Sequence, residues 1–240
     1  MGMVMRKERK GRKKPNREVQ DKFLDEKRHA VPPLRPQTDM QADYMAALMT
    51  AEQVVVLGPA GTGKTYIAST VAADLYRLGQ IDKIVLTRPN VTGSKSLGFF
   101  PGTMEEKIGP WVVPFTDIIR KRLGGGQYDV ALKHKAIEIV PFEVMRGRTF
   151  DKAFVILDEA QNTTPEEMKM FLSRVGKDST VVINGDVKQR DIKVTSGLET
   201  VIRLVKTQGL PVPVIEFGMD DIVRSDACAM WIRAFDREGL

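Results

Sequence analysis

The chain has 240 residues, 42% of them hydrophobic, which supports one sizeable core and excludes a wholly disordered protein. No apolar run reaches the length of a membrane span, and the charged N-terminus lacks the apolar segment of a secretory signal, so a cytoplasmic protein without a membrane partner is expected. A single cysteine, Cys228, excludes an internal disulfide and a cysteine metal cluster, and two histidines, His29 and His134, disfavour a histidine metal site.

The net charge of +6 is confined to the start of the chain. Residues 1–28 hold eleven Lys/Arg against five Asp/Glu, and the remainder is balanced at 26 of each sign. Residues 1–30 are expected to form a disordered basic arm. Two readings stay open for it: contact with nucleic acid phosphates, or a solvated tail that aids solubility. Val31-Pro32-Pro33-Leu34-Arg35-Pro36 reads as an extended linker, because proline fixes φ and lacks an amide donor. A helix is expected over 37–49, capped by Thr38 or Asp39.

From residue 53 onward the pattern alternates. Apolar, β-branched runs at 53–57, 83–87, 137–140, 153–157, 180–184 and 212–216 predict strands. Helical spacing predicts helices over 64–78, 104–123, 165–175, 197–207 and 226–237. Thr164-Pro165-Glu166-Glu167 and Ser196-Gly197-Leu198-Glu199 read as capping boxes, and Gly124-Gly125-Gly126 reads as a flexible loop. The expected fold is α/β, a mostly parallel sheet with helices on both faces.

The first strand runs into Gly58-Pro59-Ala60-Gly61-Thr62-Gly63-Lys64-Thr65, which fits G-x-x-x-x-G-K-[ST]. Gly58 and Gly63 admit backbone angles that turn amides toward one anion. Lys64 brings an ammonium to the β/γ-phosphates, and Thr65 offers a hydroxyl to Mg²⁺. Strand, glycine loop and helix in that order put the phosphate at a helix N-terminus, where free amides and the helix dipole favour negative charge.

The strand at 153–157 ends in Asp158-Glu159. Asp158 is placed to hold Mg²⁺, directly or through water, and Glu159 to polarise the attacking water. Asp158-Glu159-Ala160-Gln161 is also a helicase-type variant of this acidic motif. The strand at 180–184 ends in Gly185-Asp186-Val187-Lys188-Gln189, where Gln189 is in position to sense the γ-phosphate or the attacking water.

Together these segments resemble the PhoH family of P-loop ATPases. The resemblance runs from about residue 37 to 237 and also includes Leu86-Thr87-Arg88-Pro89, Leu97-Gly98-Phe99-Phe100-Pro101-Gly102, Met145-Arg146-Gly147-Arg148-Thr149 and Asp221-Ile222-Val223-Arg224. It implies a RecA-like domain over 31–240, similar to the first motor domain of superfamily 1 helicases, that binds and hydrolyses ATP with Mg²⁺. It further implies work on RNA or single-stranded DNA and a ring-shaped homo-oligomer such as a hexamer. By the same resemblance Gln41 reads the adenine edge and Thr87 and Arg88 face nucleic acid or the phosphates. Arg146 and Arg148 lie near nucleotide or a neighbouring subunit, and Arg224 stabilises transition-state charge, in cis or across an interface. The sequence departs from the family at Val91-Thr92-Gly93-Ser94-Lys95 and Arg190-Asp191-Ile192-Lys193. The thirty-residue basic arm is not expected to supply the PIN-type nuclease domain that some relatives carry. Two other readings remain: a nucleotide-gated interaction module and a small-molecule P-loop kinase.

Overall fold

Six strands that are apolar at nearly every position need cover on both faces, and the chain provides it. The computed structural model describes residues 31–89 and 104–238, with backbone alone for 104–110 and Glu143. The basic arm and the segments Val91–Lys95 and Leu97–Gly102 lie outside the described residues. In chain order the helices are α1 (Asp39–Thr50), α2 (Lys64–Arg77), α3 (Met104–Leu123), α4 (Gly125–Lys133), α5 (Pro165–Leu172), α6 (Gly197–Gln208) and α7 (Asp226–Arg237). The strands are β1 (Gln53–Leu57), β2 (Lys83–Thr87), β3 (Ile137–Ile139), β4 (Ala153–Leu157), β5 (Thr180–Gly185) and β6 (Val214–Glu216). They form one sheet in the order β3-β2-β4-β5-β1-β6, with every pairing parallel. This is the α/β, RecA-like arrangement expected from the sequence.

Side-chain parity divides the sheet into two cores. Val54, Val56, Ile84, Leu86, Phe154, Ile156 and Val182 pack with residues of α1 to α4, among them Tyr44, Ile67, Ile119 and Tyr128. Val55, Leu57, Val85, Val155, Leu157, Val181 and Ile183 pack on the opposite face with Met168 and Phe171 of α5 and Leu198 and Val201 of α6. β1, β2, β4 and β5 contribute to both cores, so their buried stretches read as apolar runs, whereas β3 at the sheet edge carries Glu138 between two isoleucines. The described residues from Pro33 onward form one compact unit.

Local signals explain several boundaries. Thr38 Oγ1 accepts from the Gln41 amide and opens α1. Thr164 and Glu167 form the expected reciprocal capping box at α5, with Pro165 at the first helical position. The second box does not close: Ser196 caps the Leu198 amide, but Glu199 turns outward to an ion pair with Arg190 at 3.0 Å. The expected loop at Gly124–Gly126 is a helix start. Gly124 caps α4 with φ +82, and burial of Tyr128 and Ala131 holds the helix, so tertiary packing overrides glycine's poor propensity. α5 stops at Leu172, three residues short of the expected end.

A candidate nucleotide site at the carboxyl edge of the sheet

The glycine loop leaves β1 with three left-handed glycines, Gly58, Gly61 and Gly63, at φ +132, +89 and +91. Two of them are also sterically required. A Cβ on Gly58 would lie 2.6 Å from the Phe217 carbonyl oxygen, and one on Gly61 would lie 2.8 Å from Cγ of Arg224. Gly63 caps α2 without a side-chain hydrogen bond, so no side chain competes for the amides of the first turn. Lys64 Nζ donates to the carbonyls of Gly58 at 2.5 Å and Pro59 at 2.8 Å, which curls the loop around its own ammonium. Burial lowers the Lys64 pKa, while Asp186, Asp158 and Glu159 oppose that shift.

Asp158 follows β4, and its amide donates to the Thr87 carbonyl at 3.0 Å, which aligns the acids with the end of β2. Burial, with the adjacent charge of Glu159, raises the Asp158 pKa from 3.8 to about 6 against the opposing pull of Arg88 and Lys64. Glu159 holds a left-handed backbone at φ +52, a conformation that a non-glycine residue adopts at a cost and that aims its carboxylate into the cleft.

Gln161 joins the two motif loops. Its Nε2 donates to Glu159 at 2.5 Å and to the Gln189 carbonyl at 3.2 Å, and its Oε1 accepts from the Asp186 amide at 3.0 Å. Asn162 braces the same loop further along, donating to the Asp191 carboxylate at 3.3 Å and accepting from the Asp191 amide at 2.9 Å. Asp191 therefore has a structural place even though the sequence departs from the family there.

Gln41 is buried, and both ends of its amide are engaged. Oε1 accepts from the Gln37 amide at 2.8 Å, and Nε2 donates to the Thr62 carbonyl at 2.9 Å. One amide hydrogen and one lone pair remain for a base edge. Val223 N donates to the Gly61 carbonyl at 2.9 Å, which lays the Arg224 stem over the glycine loop of its own chain. Arg88 reaches the acids: Nη2 is 3.4 Å from Glu159 and Nη1 is 4.0 Å from Asp158.

These groups border one cleft of about 570 Å³, within the range of small-molecule sites. Gln41, Lys64, Thr65, Arg88, Asp158, Glu159, Gln189 and Arg224 all line it, as do five of the other six loop residues, Gly58 and Ala60 through Gly63. Pro59 contributes its carbonyl to Lys64 instead. Arg148 belongs elsewhere: it pairs with Glu138 on β3 and lies over the Phe150 ring. Arg146 is exposed, and neither arginine lines the cleft. Spacing alone did not reveal Trp111, whose ring lies 5.5 Å from Arg88 Cζ. It stands in α3, where an aromatic at helical spacing reads as core.

The residues fit a Mg²⁺-bound triphosphate. A loop that turns its amides inward meets a half-buried lysine and two clustered carboxylates, and Thr65 and Asp158 would hold the metal. Fold and site together define a domain of the P-loop NTPase class. The PhoH-like protein family profile matches residues 33–236, and the chain belongs to that family. Relatives include a PhoH-like protein of Bacillus subtilis (strain 168), 44% identical over 85% of this chain and 65% of that one. Protein PhoH of Escherichia coli (strain K12) is 39% identical over 85% of this chain and 58% of its own length. The chain thus spans about three fifths of the length of the curated relatives it matches. Among solved structures, the Pif1 helicase from Candida albicans aligns with a TM-score of 0.45 at 15% identity, over 86% of this chain and 44% of that one. Among the described residues no helix is long and apolar enough to cross a membrane.

Proposed function

We propose that the chain is a Mg²⁺-dependent ATPase that works on RNA or single-stranded DNA as a homo-oligomer. The observation that carries this reading is the convergence of Lys64, Asp158, Glu159 and Gln189 on one cleft at the carboxyl ends of β1, β4 and β5. Lys64 and the loop amides grip the β/γ-phosphates of the substrate. Glu159, aimed by its left-handed backbone and by Gln161, accepts a proton from the attacking water. Gln189, tied to the same glutamine through its carbonyl, registers the γ-phosphate and transmits its loss to the loop after β5. Arg224 brings positive charge beside the loop from the same chain. Thr65 and Asp158 would hold Mg²⁺, which when bound would supply positive charge to the phosphates.

Two features support assembly and a polyanionic partner. α7 leaves Met230, Trp231 and Phe235 exposed on an otherwise polar surface, the kind of apolar patch that self-association covers. The basic arm supplies charge for phosphates. The test is steady-state ATP hydrolysis, with and without RNA, for the unaltered chain, Lys64→Ala and Glu159→Gln, alongside a mass measurement of the assembly. Both variants are expected to lose hydrolysis. Unchanged rates would overturn the ATPase reading, and rates indifferent to RNA would favour a nucleotide-gated interaction module.

A further inference from the structure

Both oxygens of Glu159 are already engaged. Oε2 accepts from Gln161 at 2.5 Å, and Oε1 faces the Arg88 guanidinium at 3.4 Å. The same guanidinium lies 4.0 Å from Asp158, and its Cζ stands 5.5 Å from the centroid of the Trp111 ring. Arg88 is thus sandwiched between an aromatic face on α3 and the two acids after β4. Two adjacent carboxylates in a largely buried cleft need a cation, and Arg88 supplies one charge. A divalent ion arriving with nucleotide brings two charges to the same carboxylates, and a guanidinium beside Oε1 makes Glu159 a weaker acceptor of a water proton.

We propose that Trp111 is a positioning residue that holds Arg88 as the resting counter-ion of Asp158 and Glu159, and that Mg²⁺-nucleotide displaces Arg88 from these acids. This rests on the reading of the cleft as a Mg²⁺-nucleotide site. The resting pair keeps Glu159 a weaker proton acceptor until the site is loaded. The Trp111 ring gives Arg88 a platform that neither a lysine nor an aliphatic neighbour would reproduce, because a planar guanidinium stacks on an indole face.

The chain has two tryptophans, so Trp231→Phe leaves Trp111 as the sole indole reporter. In that background a non-hydrolysable ATP analogue with Mg²⁺ is expected to change Trp111 emission saturably, in step with binding measured by equilibrium dialysis. Adding Arg88→Ala is expected to abolish the emission change while dialysis still detects binding. An undiminished change in that variant would overturn the proposal, because Trp111 would then report nucleotide without Arg88. Trp111→Leu removes the aromatic face and is expected to lower the half-saturating Mg²⁺-nucleotide concentration by about two- to fivefold, the range an exposed cation–π contact supplies. Trp111→Phe is expected to restore most of the original value. A rise in Trp111→Leu, or no difference between the two variants, would overturn the proposal. Absence of nucleotide binding in the unaltered chain would instead overturn the nucleotide-site reading itself.

Discussion

Gln161 donates one amide hydrogen to the Glu159 carboxylate at 2.5 Å and the other to the Gln189 carbonyl at 3.2 Å. With Oε1 accepting from the Asp186 amide, one side chain spans the ends of β4 and β5. Glu159, proposed to activate water, and the loop of Gln189, proposed to sense the γ-phosphate, therefore share one hydrogen-bonded link. Gln161→Ala is expected to lower kcat by about 10- to 100-fold, the usual effect of losing a partner that orients a reacting group. Nucleotide affinity should change little, because the glycine loop and Lys64 lie outside this link. Steady-state kinetics with a separate binding measurement checks this. A loss of affinity with kcat preserved would show that Gln161 serves binding instead.

Asp158 gives a pH-dependent stability with a definite sign. Its pKa is about 6 in the fold against 3.8 ordinarily, so the folded state binds this proton more tightly than the unfolded chain. Stability from this group is complete below about pH 4 and is lost as pH rises to about 6. Above that the ionised acid costs the metal-free protein roughly 1–3 kcal/mol. Asp158→Asn is therefore expected to stabilise the protein in EDTA at pH 8, with the gain shrinking toward zero near pH 4. Denaturant unfolding at the two pH values checks it. The same variant should lose Mg²⁺-dependent hydrolysis, a gain in stability at the expense of function.

At Gly58 both backbone angle and space exclude a side chain. The residue has φ +132, and a Cβ would stand 2.6 Å from the Phe217 carbonyl oxygen. Backbone atoms cannot rotate aside as a flexible side chain can. Gly58→Ala is expected to lower stability by about 1–3 kcal/mol and to abolish nucleotide binding, since Lys64 holds its place by donating to the Gly58 carbonyl. Thermal unfolding together with nucleotide binding reads both effects. Retention of full affinity would show that the loop adopts another path without loss of function.

The sequence was most legible where each position carried two constraints at once. β1, β2 and β4 match their expected spans because strands buried on both faces admit only apolar residues, and a polar loop then marks each end. Met104–Leu123 was found as one helix despite Pro110 and Pro114, since its apolar spacing continues through them. The Gly125–Lys133 helix was invisible, because Tyr128 and Ala131 hold it by contacts distant in sequence. In the site, Lys64, Asp158 and Glu159 were legible from fixed spacing to a strand end. Gln161 stood in the quoted motif, but its work depends on the approach of the β5 loop, which spacing does not encode. Trp111 joins Arg88 only through the packing of α3 near the end of β2. Arg148 looked functional by resemblance, yet it pairs with Glu138 at the sheet edge.

The packing that brings α3 to the site depends on a polar contact inside an apolar interface. Arg122 near the end of α3 reaches Asp74 on α2 through Nε at 2.8 Å and Nη2 at 2.6 Å. The pair ties the helix bearing Trp111 to the helix bearing Lys64. Its two members are not equivalent. The Arg122 side chain is 10% exposed and that of Asp74 is 24% exposed, and Asp74 has a further partner in Arg77 at 3.3 Å. Arg122→Ala leaves an acid that water and Arg77 still serve, whereas Asp74→Ala strips the bidentate partner from a more deeply buried guanidinium. Asp74→Ala is expected to cost at least as much as Arg122→Ala, about 1–3 kcal/mol each for the loss of two charge-assisted hydrogen bonds. Arg122→Lys should recover little, since a lysine cannot reproduce the two-pronged geometry. A double-mutant cycle on denaturant unfolding measures the coupling. If Arg122→Ala proves the more damaging, the stem of Arg122 packed between the helices, and not its charge, holds α3 in place.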